Sequence, residues 1–318
     1  MPLDAKLQTI LDAMKALGGA PVERQTPAEA RAERAAFMAE FVPLPEYASV
    51  KAEERDIGAA GREIAVRVYM PAGQREKPPV MVYFHGGGWV VGTLDTHDPF
   101  CRALAAEAGM VVVSVDYRLA PEHKFPAAVE DARAAAEWVL AHAAELGGDA
   151  ERVFVGGDSA GATLATVTAL LLRDRDVGGG MAGLAGQMLL YPVAGYYDPP
   201  TGSYLENATG YGLTRAGMMW FWDHYLNDAS EVRDFRAAPL MANSLAGSPR
   251  AFVVTAEYDV LRDEGQAYAK RLEEAGVPVT HLLVEGMNHG FAASANEFPL
   301  LPQAKDVLRR VAEWVKAG

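Results

Sequence analysis

A chain of 318 residues, half of them hydrophobic and 22% charged, has the composition of a globular protein able to bury one large core. Its net charge of −13, with no run of Lys and Arg able to follow a phosphate backbone, argues against a nucleic-acid partner. The only cysteine, Cys101, excludes an intrachain disulfide, and its neighbours Phe100, Ala103 and Leu104 mark it as a packed thiol.

The chain opens by interleaving charges with Leu3, Leu7, Ile10, Leu11, Met14 and Leu17, the pattern of an amphipathic helix and not of a signal sequence. No stretch has the length of an uncharged membrane span, and a cytoplasmic protein is expected. A second helix is predicted from Pro27 to Phe41, stopped by Pro43 and Pro45. Strand patterns begin after Val50. Arg62 to Met70 alternates, and Val80 to Phe84 is apolar throughout, as in a strand buried on both faces.

Strand and helix then take turns. Asp98 to Ala108 is predicted helical, Met110 to Val115 a strand, Pro126 to Glu145 helical, Arg152 to Val155 a strand, and Leu184 to Leu190 another. The rhythm lapses between Tyr191 and Met241, where prolines and glycines precede a helix at Thr214 to Leu226. It resumes with strands at Ala251 to Thr255 and Val279 to Val284, and helices at Val260 to Ala275 and Pro302 to Lys316. Such alternation is the signature of a parallel sheet covered by helices on both faces. A small turn is expected at Gly178-Gly179-Gly180, and there is no internal repeat.

Chemistry concentrates at Gly157-Asp158-Ser159-Ala160-Gly161, between the strand Val153–Val155 and a strong helix-forming run from Ala160 to Leu172. A reversal this tight excludes side chains at its flanks and lifts Ser159 above the sheet edge, as a nucleophile elbow does. A serine hydroxyl needs a base, and the base needs an acid to fix its tautomer. His289, in Gly286-Met287-Asn288-His289-Gly290-Phe291 just past the last strand, is placed to be that base, whereas His281 lies inside the strand. Asp259 follows the preceding strand and either orients the histidine or caps the next helix; Asp263 and Glu264, a turn into that helix, are expected to serve its dipole. The tetrahedral oxyanion would find donors in the N–H of Ala160 and in His85-Gly86-Gly87-Gly88, which lacks the Lys and Ser/Thr of a phosphate loop.

Together with His85-Gly86-Gly87-Gly88-Trp89 and Gly157-Asp158-Ser159-Ala160-Gly161, the segments Asp116-Tyr117-Arg118-Leu119-Ala120-Pro121-Glu122, Asp259-Val260-Leu261-Arg262-Asp263-Glu264-Gly265 and His289-Gly290-Phe291 resemble the bacterial branch of the hormone-sensitive lipase family of esterases. The resemblance runs over nearly the whole chain. It implies an α/β-hydrolase fold: an eight-stranded, mostly parallel sheet covered by helices, with a helical cap. The cap would comprise residues 1–45, expected as a lid over the active site, and an insertion at 191–241; the core would comprise 46–190 and 242–318. It further implies that Gly87 and Gly88 donate to the oxyanion beside Ala160, that His85 braces the loop without acid–base work, and that Asp116 to Glu122 is a brace. One departure stands out: Ala162 and Thr163 occupy positions where the pattern usually runs Gly-Asn, so altered packing beside the serine is expected.

The expected reaction is hydrolysis of a small-molecule ester, with short to medium acyl chains favoured by the resemblance, through Ser159, His289 and Asp259 and an acyl-enzyme. No cofactor is expected, and the seven scattered histidines offer no metal motif. Met218, Trp222 and Tyr225, on one face of the predicted helix with Phe221 alongside, are with Trp89 candidates to line the acyl cleft, or else to dock the cap. A homodimer through a sheet edge follows from the resemblance. Two other readings compete: an amidase or deacetylase with the same triad, which would cleave acyl anilides, and a non-catalytic receptor like the plant gibberellin receptors, which lack the histidine kept here as His289.

Overall fold

In a computed structural model, which describes residues 2–39, 44–59, 61–71, 73, 77–173, 183–294, 298 and 300–317, eight strands form one sheet. They are β1 (Lys51–Ala59), β2 (Arg62–Met70), β3 (Val80–Phe84), β4 (Val111–Val115), β5 (Val153–Asp158), β6 (Gly186–Leu190), β7 (Ala251–Tyr258) and β8 (Val279–Asn288), in the order β1-β2-β4-β3-β5-β6-β7-β8. β2 runs antiparallel to β1 and β4, and every other pairing is parallel. The central strands β3, β4, β5 and β6 are buried along their whole length, so both faces need cover.

Helices α3 (Asp98–Ala108) and α9 (Pro302–Lys316) cover one face, joined by Leu7 of α1 (Ala5–Ala16). The other face is covered by α4 (Ala127–His142), α5 (Ala160–Arg173) and α8 (Arg262–Glu274). Two strands run further than the sequence pattern indicates. β7 reaches Tyr258 through a bulge, and β8 continues from Val284 to Asn288, so Asp259 and His289 each stand one residue beyond a strand. The alternation that marks a half-buried strand fades in the last residues of β8, where Gly286, Met287 and Asn288 are all buried.

The insertion folds as the short α6 (Gly202–Glu206) and α7 (Arg215–Tyr225). The two N-terminal helices do not act as one unit. Asp4 of the α1 cap receives Gln303 Nε2 at 3.0 Å while its backbone N–H reaches Gly286 O at 3.0 Å, which ties α1 to α9 and β8. Helix α2 (Pro27–Ala39) and the turn before it face α7: Trp220 Nε1 donates to Gln25 O at 3.1 Å. The expected end of this helix at Phe41 and the glycine turn at Gly178–Gly180 lie outside the described residues.

Candidate active site

The reversal between β5 and α5 is sterically closed. A Cβ on Gly157 or Gly161 would collide with the carbonyl oxygen of Phe84, so only glycine lets β3 and the elbow come this close. Ser159 between them has φ +55°, a strained value for a residue with a side chain and the mark of a nucleophile turn.

Three strand ends converge there. His289 Nε2 lies 2.9 Å from Ser159 Oγ, and His289 Nδ1 lies 2.7 Å from Asp259 Oδ2. The second carboxylate oxygen of Asp259 accepts the N–H of Leu261 at 2.9 Å, so Asp259 both orients the histidine and caps the turn into α8. The two alternatives weighed from sequence are one arrangement. Tyr191 sets its ring edge against the imidazole, with centroids 4.8 Å apart. His281 is instead bonded to Thr255 Oγ1 at 3.0 Å, remote from this relay.

Across from Ser159, the carbonyl of Gly87 is turned into the loop, accepting Val91 N at 2.9 Å and Val90 N at 3.1 Å. The N–H groups of Gly87 and Gly88 bond to no described residue, and Ala160 opens α5, where the first N–H has no intrahelical acceptor. Gly88, at φ +59°, has the Phe221 ring where a Cβ would stand.

The loop carrying these donors is fixed from behind. Asp158 Oδ1 accepts Gly86 N at 2.8 Å and Tyr83 Oη at 2.6 Å, and His97 Nε2 stands 3.2 Å from the same oxygen. Burial alone would raise the Asp158 pKa, but the His97 ring and the hydrogen bonds from His97 and Tyr83 hold it below the ordinary value. His85 is pushed down to about 3 by burial and by His97 beside it, so it is neutral and unsuited to acid–base work near pH 7. Tyr117 stacks on His85 at 4.3 Å and donates to its carbonyl oxygen at 2.7 Å. Arg118 grips Asp131 with two nitrogens, Nη2 at 2.8 Å and Nε at 3.0 Å, and Glu122 pairs with Arg31, so the segment 116–122 braces loop and cap.

The apolar candidates divide. Trp89 and Trp222 are fully buried with centroids 4.9 Å apart, and Tyr225 stacks on Trp89 at 4.1 Å, so these rings pack α7 against the loop after β3. Phe221 covers Gly88, and Met218 is buried one turn before Trp222 on the same helix.

Two residues carry more than the sequence reading gave them. Glu264 does not face solvent to serve the α8 dipole. It is buried, with Oε1 accepting Ala194 N at 2.9 Å and Gly195 N at 3.3 Å, and burial pushes its pKa up to about 8 against those hydrogen bonds. Asp158 is the variable position inside the elbow motif. The available signal was Tyr83, a tyrosine in a strand buried on both faces, whose hydroxyl requires a buried partner. Thr163, the departure from the usual pattern, donates to Val193 O at 2.6 Å and so ties α5 to the stem of the insertion that Glu264 holds from α8.

A model of the α/β-hydrolase fold matches residues 81–293, which include the elbow, the glycine loop and the relay. The chain belongs to the hormone-sensitive lipase-type family of α/β-hydrolases. This esterase is 44% identical to the carboxylesterase NlhH of Mycobacterium tuberculosis over 266 residues, 82% of this chain and 81% of that one. It is 34% identical to an arylesterase of Saccharolobus solfataricus, covering 92% of this chain and 94% of the relative. Its fold superposes on the crystal structure of a thermostable esterase from Pseudomonas putida ECU1011 with a TM-score of 0.92 at 37% identity, over 99% and 97% of the two chains. It is a serine carboxylesterase.

Proposed function

We propose that Ser159 is the nucleophile, His289 the general base and then acid, and Asp259 the group that holds the imidazole tautomer. The observation that carries this is the unbroken relay of 2.9 and 2.7 Å ending at the hydroxyl of Ser159 on a strained turn. In this mechanism Ser159 Oγ attacks the ester carbonyl as its proton passes to His289 Nε2. The oxyanion takes hydrogen bonds from the N–H groups of Gly87, Gly88 and Ala160. His289 then protonates the leaving alcohol, and water returns the acyl-enzyme to free enzyme and acid.

The substrates we assign are esters of short to medium acyl chains. Support comes from Phe221 seated on Gly88, and from Trp89 and Trp222 being spent on each other, which leaves little apolar surface for a long chain. A p-nitrophenyl ester series from acetate to palmitate, run on the wild type and on Ser159→Ala, tests both parts. A rate peak at palmitate would overturn the chain-length assignment. An acyl anilide cleaved as fast as the matching ester would favour the amidase reading.

Of the expected cap, α2 and the insertion at 191–241 are assigned to it on the contact of the turn before α2 with α7 and of Phe221 with the oxyanion loop, whereas α1, part of the expected span 1–45, is tied to α9 and β8. A homodimer formed through β8 is the assembly proposed: β8 is an open edge of the sheet and exposes Leu283. Light scattering of Leu283→Arg should then report a monomer. A cytoplasmic location is proposed on the packing of Leu7 into the core and the buried free thiol of Cys101, with fractionation of the native host as its check. No helix among the described residues is long and apolar enough to cross a membrane.

A further inference from the structure

Behind the oxyanion loop, between α2 and the start of α3, lies a cleft of about 1020 Å³, at the upper end of the size range of small-molecule sites. Its walls include none of Ser159, Asp259, His289, Gly87 or Gly88. Met38, Tyr47, Pro99 and Leu119 supply apolar surface, and four arginines supply charge.

The charges are not equally committed. Arg67 holds Asp95 at 2.7 Å and Asp98 at 3.2 Å and also binds Glu54, so every acid among the described lining residues is already paired. Arg102 takes Asp98 Oδ2 at 2.6 Å and Val50 O at 2.7 Å. Arg31 closes on both oxygens of Glu122 at 2.7 Å and on the carbonyls of Val90 and Ala120 at 2.8 Å. Arg34 alone among these four has neither a hydrogen bond nor an ion pair with a described residue. Its sequence neighbour Glu33 is itself bonded to Gln25 at 2.6 Å. Arg34 is exposed along the open cleft, so its guanidinium is free to meet an anion entering from solvent as one half of a charge-assisted pair.

We propose that this cleft binds a carboxylate carried on an apolar body, with Arg34 as the anchor for the anion. The choice of a carboxylate rests on the carboxylesterase reading, since ester hydrolysis releases such acids. The cleft has a route to the catalytic loop: Thr96 in its wall bonds His97 Nδ1 at 2.9 Å, and His97 and Gly86 N meet at Asp158.

The test titrates octanoate into the wild type, Arg34→Gln and Ser159→Ala by calorimetry, with octanamide as the uncharged control. Expected are saturable octanoate binding to the wild type, affinity at least about tenfold weaker in Arg34→Gln, unchanged affinity in Ser159→Ala and in enzyme blocked at Ser159 by a phosphonate, and no octanamide binding. No saturation by 10 mM, on the order of the weakest useful affinities, equal affinity in Arg34→Gln, or loss of binding after phosphonate treatment would each overturn it. The same preparations are assayed with p-nitrophenyl butyrate. Hydrolysis without octanoate binding sinks the cleft alone, whereas absent hydrolysis by the wild type sinks the carboxylesterase reading on which the choice of ligand rests.

Discussion

Glu264 gives the structure its most exposed thermodynamic commitment. Its carboxyl is buried against Asp259, Asp263 and Tyr204, takes two backbone N–H groups on Oε1, and has a pKa of about 8 in place of the ordinary 4.5. A folded-state acid with a raised pKa keeps its proton where the unfolded chain has released it, so stability falls as pH rises between the two values and levels off above the higher one. At about 1.4 kcal/mol per pH unit, the interval from 4.5 to 8 costs at most about 5 kcal/mol. Glu264→Gln keeps an acceptor for Ala194 and Gly195 but cannot ionise. Near pH 5 the two proteins should be close in stability, because the protonated carboxyl and the amide each give Ala194 and Gly195 an acceptor and leave a donor where Oε2 has no partner. By pH 8 the variant should be the more stable of the two. Denaturant midpoints of both proteins at half-unit steps from pH 5 to 9 measure it directly, and parallel curves would refute the assignment of a protonated Glu264.

Ser159→Ala should fold normally and lose kcat by a factor on the order of 10⁴ to 10⁶; hydrolysis at wild-type rate would remove Ser159 as nucleophile. Asp259→Asn should cost far more activity than Asp263→Asn, because Asp259 touches His289 whereas Asp263 Oδ2 is occupied by Ser203 N at 2.7 Å; equal losses in kcat would mean that the acid is misassigned. Asp158→Asn removes the charge that fixes Gly86 and His97, and a fall of about 10- to 100-fold in kcat with KM nearly unchanged is expected, so a pure KM effect would contradict its role behind the oxyanion donors. Gly161→Ala drives a methyl into the Phe84 carbonyl and should destabilise the fold by about 4 kcal/mol or more, readable in the urea midpoint.

Much of this architecture could be read from the chain because it is written in local terms. Continuous apolar runs such as Val80 to Phe84 can only be strands covered on both faces, and the helix limits Asp98–Ala108 and Pro302–Lys316 came out as patterned, with proline at their first turns. The site was legible for the same reason: a strand, a glycine-flanked serine and a helix describe one backbone turn. What stayed hidden depends on pairs far apart in sequence. The partner of Glu264 is a backbone segment 70 residues away, and nothing in Asp263-Glu264 distinguishes a solvated first turn from a buried anchor. The two tryptophans are a similar case, since a stripe on α7 looks the same whether it lines a cleft or stacks on Trp89.

The hidden pairs share a location. Thr163 of α5 on Val193, Glu264 of α8 on Ala194 and Gly195, and Asp158 at the end of β5 on Gly86 all join the elements beside Ser159 and Asp259 to the loops that frame them. Three of the four loop atoms are backbone N–H groups and the fourth is a backbone carbonyl, so these contacts do not depend on the side chains that the loops bear, although the glycine loop itself has no room for a Cβ at Gly86, Gly87 or Gly88. The insertion can therefore vary in sequence to reshape the pocket while the glycine loop stays glycine and Ser159 and His289 keep their spacing, provided that Thr163, Asp158 and Glu264 remain polar.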